Sequence, residues 1–261
     1  MWLMKTLLTS GCTNQRGAGH RLLTILQDGE VIDMKQFFIV EPLVDPVSMR
    51  LRGVEILTRF QDQYGKFYPP DTVIQSMSNE ERCLLLREQV TAIKEKNDFF
   101  TKNNLLCSLK VNRDMIECIN RTPEEDCLLK GMNYVRLEIS ESLATCELHT
   151  RTKLIEALCT RFGKVWLDDL GAGYCDISMV DASQYELIKI DREYFWREAK
   201  KEQPFKGLIL YKNKCNKIVF EGVETDEQLE LARRLEVWGV QGYLFNSCKL
   251  IDIESLALRY D

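Results

Sequence analysis

Two adjacent carboxylates, Asp168 and Asp169, end the short apolar run Val165-Trp166-Leu167 and precede the glycine-rich segment Leu170-Gly171-Ala172-Gly173-Tyr174. The run reads as a buried strand. Neighbouring side chains on a strand point to opposite faces, a rule that relaxes at a frayed strand end, where both carboxylates can turn to one centre. Two buried acids side by side repel each other and lose hydration, and a cation between them removes that penalty. Taken alone, the pair reads equally well as a solvated turn, since carboxylates are usually exposed.

Other polar groups recur where apolar runs end: Glu55, Asn112, Glu138, Lys189, Glu221 and Gln241. Ionisable groups at nearly every strand end are hard to explain as packing. They make sense as one oxygen-rich site. The chain has only two histidines, His20 and His149, and neither is near an acid cluster. A metal held here is therefore held by oxygen, which favours Mg2+ or Mn2+ over zinc. The ten cysteines are scattered without a Cys-x-x-Cys pair, so they read as small hydrophobes in a reducing cytoplasm. A net charge of -5 and the lack of a basic block argue against a nucleic-acid polymer as partner. No apolar run is long enough to span a bilayer.

The elements that must position these groups alternate along the chain. Strands are expected at Phe37–Val44, Leu51–Leu57, Leu105–Val111, Tyr134–Ile139, Lys164–Leu167, Tyr185–Ile190, Lys217–Phe220 and Trp238–Gly242. No helix fits between the first two, which predicts an antiparallel hairpin. Ser78 and Glu81 form a capping-box pattern before a helix that runs on toward Phe100. Helical patterns at Leu148–Phe162 and Asp226–Val237 separate later strands. About eight strands in roughly 225 residues is the size of a TIM-type barrel. The fold class is thus α/β, a TIM-type (β/α)8 barrel with an antiparallel first strand; a doubly wound open sheet is the alternative. A barrel gathers all strand ends at one mouth, whereas an open sheet spreads them along a line. Residues 1 to 33 carry no regular pattern and read as a disordered leader or an upstream start ahead of Met34. Thr9-Ser10-Gly11-Cys12 loosely resembles a lipoprotein cleavage site, but the apolar run before it is short and broken by Lys5. Residues 34–261 read as one domain.

Taken in order, the motifs resemble the EAL domain family of cyclic di-GMP phosphodiesterases. The resemblance rests on Glu55-Ile56-Leu57-Thr58-Arg59, Val111-Asn112, Leu137-Glu138-Ile139-Ser140-Glu141-Ser142 and Asp168-Asp169-Leu170-Gly171-Ala172-Gly173-Tyr174. It continues through Ile188-Lys189-Ile190-Asp191, Glu221-Gly222-Val223-Glu224-Thr225 and Gln241-Gly242-Tyr243-Leu244. It implies a two-metal site for Mg2+ or Mn2+, with Glu55, Asn112, Glu138 and Asp168 on the first ion. Asp168, Asp169 and Glu221 would hold the second. It further implies catalytic roles for Lys189, Glu55, Glu221 and Gln241, with Lys189 positioning or activating the water. Arg59, Leu57 and Asp191 match substrate contacts. Glu224 matches a residue that supports the ligands, and Glu141 the anchor of the loop after Asp169, which couples metal binding to dimerisation. The implied activity is hydrolysis of cyclic di-GMP to linear pGpG, which lowers a second messenger of motility and biofilm formation. The implied protein is a cytoplasmic homodimer.

Each residue also has a plainer reading. Lys189 reads as a surface lysine, Arg59 as a stabilising ion-pair partner, Glu141 as a helix N-terminal charge and Gln241 as a turn residue. The chain departs from the family pattern at Ile56, and the loop reads Ala172-Gly173-Tyr174-Cys175, without its usual hydroxyls. Family members that have lost ligands bind cyclic di-GMP or proteins without turnover; here every ligand position keeps its oxygen.

Overall fold

The computed structural model describes residues 21–27, 30–121, 128–139, 148–162, 165–173, 185–202, 204–205, 212–213 and 215–260. Among the described residues eleven strands lie in one sheet: β1 Arg21–Gln27, β2 Glu30–Val44, β3 Leu51–Asp62, β4 Phe67–Tyr68, β5 Leu106–Val111, β6 Val135–Ile139, β7 Val165–Leu170, β8 Tyr185–Ile190, β9 Ile218–Phe220, β10 Gly239–Val240 and β11 Cys248–Lys249.

Eight of them close a barrel. From β3 through β5, β6, β7, β8 and β9 to β10 every neighbour is parallel. β2 fills the gap antiparallel to both flanks, pairing with β3 along its length and with β10 through Val240 and Val44. That last pairing excludes the open sheet and confirms the barrel with an antiparallel first strand. β4 and β11 pair with β3 and β2 outside the ring.

Period-2 alternation sorts the side chains of each strand. On β3, Val54, Ile56 and Phe60 are buried against the helical layer, which leaves Glu55, Leu57 and Arg59 on the other face. Within the ring, Leu43, Trp166, Leu187 and Val219 form a separate, fully buried cluster. They make the apolar floor on which the polar site stands.

The helices follow local signals. Ser78 accepts a hydrogen bond from Glu81 N at 3.2 Å, and the Glu81 carboxylate accepts from Ser78 N at 2.8 Å, so the capping box starts the helix Asn79–Lys94 as expected. That helix does not reach Phe100. The chain leaves helical geometry at Lys96, and a second helix, Asn97–Asn103, turns Phe99 and Phe100 into the core. Tertiary contacts hold the break: Lys96 Nζ donates to Ile251 O at 2.8 Å and to Glu254 at 2.9 Å.

The expectation of a patternless leader is corrected for residues 21–27 and 30–33, while residues 1–20 lie outside the described residues. β1 pairs residue by residue with Glu30–Gln36, and β2 begins four residues before Met34. Leu23 is buried in this hairpin, and Met34 is fully buried. The signal was present in Asp28-Gly29, a dipeptide favoured between hairpin strands, flanked by two apolar segments. The expected strand at 51–57 is also longer, because β3 continues to Asp62 opposite the extended β2. Among the described residues no helix is long and apolar enough to cross a membrane.

Candidate active site

The C-terminal ends of the parallel strands bring together most of the singled-out residues. Lys189, on β8, is at the centre and fully buried. Its ammonium is 2.7 Å from Glu55 Oε2, 2.7 Å from Glu221 Oε1, 3.3 Å from Glu138 Oε2 and 3.3 Å from Asp168 Oδ1. The plainer reading of a surface lysine does not hold. Burial alone would lower its pKa, but the surrounding carboxylates, Asp168 and Glu138 foremost, raise it well above its ordinary value.

Two overlapping sets of acids surround it. Glu55, Glu138 and Asp168 each offer one oxygen within 4.8 Å of the others, and so do Asp168, Asp169 and Glu221. Asp168 belongs to both. The adjacent aspartates reach one centre because Asp169 takes a left-handed backbone, φ 60°, while the β7–β8 register shifts between Leu167 and Leu170. A non-glycine residue in that region costs about 1–2 kcal/mol, held here by the surrounding sheet.

The carboxylates outnumber the cations around them, and burial weighs on the charged form of each. Burial, with Glu55 beside it, pushes Glu138 well above the usual carboxylate range. Burial pushes Glu221 up to about 8 against the pull of Lys189. Asp168 is held at about 2, because Lys189 and Lys110 outweigh its burial. Among the described residues Glu138 Oε1 is buried with no hydrogen-bond partner. An oxygen-only donor set with an orphaned buried oxygen and too little positive charge fits a small hard dication.

The other positions fall around this centre. Gln241 Nε2 donates to Glu55 Oε2 at 2.6 Å and Glu41 Oε2 at 3.0 Å, so it clamps the acids rather than shaping a turn. Gly242 follows it with φ 149°, where an added Cβ would meet Val223 N at 2.4 Å. Asn112 Oδ1 accepts from Met115 N at 3.0 Å at the start of the helix Arg113–Arg121; an amide oxygen has a second lone pair for a metal. Asp191 Oδ1 accepts from Tyr194 N at 2.9 Å and starts the helix Arg192–Ala199. Arg59 is 3.6 Å from Glu41 and donates to Thr58 O. A cavity of about 300 Å3 opens above the acids, lined by Leu57, Asp191, Glu221, Glu224 and Gln241 among others. Glu224 also borders a neighbouring groove beside Trp196 and Arg234. Glu141, Tyr174 and Cys175 lie outside the described residues.

Two site residues escaped the sequence reading. Glu41 faces Gln241 and Arg59, and pairs with Glu55 in the β2–β3 register. Lys110 is 2.9 Å from Asp168 Oδ2 and 2.8 Å from Asp169 Oδ2. The parity that makes Glu55 and Asn112 inward-facing also marks Glu41 and Lys110, and that was the available signal.

Fold and site define a closed (β/α)8 barrel protein with an acidic, oxygen-only centre at the C-terminal mouth. The chain belongs to the EAL domain family, whose profile matches residues 33–247. It is 27% identical over 203 residues to the cyclic di-GMP phosphodiesterase PdeH of Escherichia coli K12, covering 76% of this chain and 78% of that protein. The fold is shared with the crystal structure of the EAL-like domain protein YdiV, at a TM-score of 0.74 and 21% identity over 85% of this chain and 96% of that one. It is shared also with the manganese and cyclic di-GMP complex of Klebsiella pneumoniae BlrP1, at a TM-score of 0.63 and 17% identity over 95% of this chain and 60% of that one.

Proposed function

We propose that this chain is a cyclic di-GMP phosphodiesterase that opens the cyclic dinucleotide to linear pGpG with Mg2+ or Mn2+. The observation that carries the reading is the pair of acid sets sharing Asp168 at the barrel mouth. The phosphodiesterase PdeH and the manganese-bound BlrP1 complex support it. Glu55, Asn112, Glu138 and Asp168 would hold one ion, and Asp168, Asp169 and Glu221 the other. Dications held there would supply charge neutralisation for the phosphate and would lower the pKa of a water.

The chain's own groups do the rest. Lys189, held among four carboxylates, offers ammonium donors at the centre of the mouth, placed to hydrogen-bond and orient the water. Gln241 fixes Glu55 through its amide and so fixes the ligand geometry. Arg59, half-buried at the rim, offers a guanidinium fork suited to a phosphate. Leu57 and Asp191 line the cavity that would take the nucleotide. Glu224 and Glu141 would support the ligands and the loop after Asp169. A cytoplasmic homodimer is the working form in this reading.

A second reading is nucleotide or protein binding without turnover. It is favoured by Lys110, which already bonds both aspartates, and by the likeness to YdiV. One experiment separates the two: purified chain, cyclic di-GMP and Mg2+ or Mn2+, with the products resolved by chromatography. The enzyme reading expects pGpG, none in EDTA, and inhibition by Ca2+, whose larger radius and looser geometry would suit the site poorly. Calorimetric binding with no pGpG would establish the second reading.

A further inference from the structure

The outer acid set already holds a cation of the protein's own. Lys110 lies on β5 one position before its last residue, where the alternation that buries Leu109 and Val111 turns Ser108 and Lys110 to the opposite face. Its ammonium bonds Asp168 Oδ2 and Asp169 Oδ2 together. These two carboxylates, with Glu221, form the second set of oxygens lying within 4.8 Å of one another. A lysine head is a compact point charge with three donors on a flexible stem. Among side chains it comes nearest to a small cation.

The two lysines of the mouth differ in freedom. Lys189 is fully enclosed, bonded on several sides, and has nowhere to go. The Lys110 side chain keeps 40% of its exposure, so water stands ready to receive it if another cation takes its place. Asp169, its outer partner, is 32% exposed, so an ion can approach from solvent.

We propose that Lys110 is an intrinsic cation for the outer acid set: it neutralises Asp168 and Asp169 and competes with a divalent ion for them. Lys189 bonds all three acids of the inner set and Glu221 of the outer one, so it weighs on both; only the outer set carries a further, releasable cation, and its dication is the weaker of the two. That second ion binds only where metal is concentrated enough to release Lys110 to solvent. The inference rests on the reading of the mouth as a two-metal centre. It adds that the second ion is conditional, and names the residue that makes it so. A dication brings twice the charge, so it wins at high concentration. Giving up the equivalent of one charge-assisted hydrogen bond weakens that second step by about 10–100-fold.

The test is Mn2+ titration of the full chain, followed by calorimetry and by the spin-coupled electron paramagnetic resonance signal of two nearby Mn2+ ions. The parent should show one tight site and a second, weaker one. In Lys110→Met and Lys110→Gln the second site should tighten by about 10–100-fold, with the coupled signal at correspondingly lower Mn2+. Lys110→Arg, which keeps the charge, should stay near the parent. A measurement on the unaltered chain covers the case in which a neutral variant fails to fold: reductive methylation read by mass spectrometry. The Lys110 amine should become more reactive in step with the second Mn2+. The proposal is overturned if second-site affinity is the same in parent and neutral variants, if every protein binds one ion only, or if Lys110 reactivity does not rise. If no protein binds Mn2+ at all, the two-metal reading falls first and this inference with it. The other failures leave the first site filled, which tells the two apart.

Discussion

Replacing Lys189 by methionine removes the central charge of the mouth while keeping nearly the same side-chain volume. The lysine is fully buried, with Glu55, Glu138, Asp168 and Glu221 each within 3.3 Å of its ammonium. Without it those acids face one another in a poorly solvated space. Breaking a buried pair by removing one partner costs about 3–5 kcal/mol, which for a domain of this size is a fall in Tm of about 6–20 °C. A dication at a hundred times its Kd returns about 2.7 kcal/mol, and more binding free energy is available once the competing ammonium is gone. Melting curves by circular dichroism in EDTA should show the fall. Mn2+ should raise the variant's Tm by more than it raises the parent's. In activity, loss of the water-orienting donor should cost about 10²–10⁴ in rate. Nucleotide binding in Mn2+ should persist, because the lysine acts on the water in the transition state. An unchanged Tm in EDTA would refute the electrostatic account, and turnover near the parent rate would refute the role on water.

A chain starting at Met34 loses β1 and uncovers Met34 and its surroundings. Losing the burial of a side chain such as Leu23, about 2 kcal/mol, should lower Tm by about 4–8 °C, with specific activity retained because β1 carries no ligand. Gly242→Ala drives a Cβ into Val223 N and O at 2.4 and 2.5 Å at a φ of 149°. Both stability and activity should fall, since Gln241 beside it clamps Glu55; a parent-like melting curve and turnover would contradict this. At the opposite end of the barrel, burial would raise the Glu186 carboxyl, but hydrogen bonds from Lys217 and Arg136 outweigh it and hold it at about 2. Its unfolded value is 4.5, so the unfolded chain binds more protons between those two pH values, and stability falls as pH drops through that window. Glu186→Gln should be less stable than the parent at pH 7 and lose less on acidification; parallel acid limbs would count against the pairing.

The order of elements and the acids at their ends were legible because they rest on local rules. Apolar runs of six or so residues with helical patterns between them read as parallel strands, and Ser78 with Glu81 marks a helix start wherever it occurs. Glu55, Asn112, Glu138, Asp168, Asp169, Lys189, Glu221 and Gln241 could be named because type and position coincide at strand ends. The hairpin of residues 21–36 leaves only a weak trace in the sequence, the Asp28-Gly29 dipeptide between two short apolar segments. Closure of the ring was beyond local rules, since it hangs on Val240 pairing with Val44 across almost the whole chain. The same is true of what the side chains do once the ring is closed. Gln241 reaches Glu41, 200 positions away, and Lys110 reaches Asp169, 59 positions away. Parity places Lys110 and Lys189 on the inner face, but which acids each bonds is not written in the local sequence. Alternation and apolar pattern depend on neighbours in the chain, so the sequence alone carries them. Burial, charge balance and the bonding of Lys110 and Lys189 depend on neighbours in space, and those exist only after the barrel has closed.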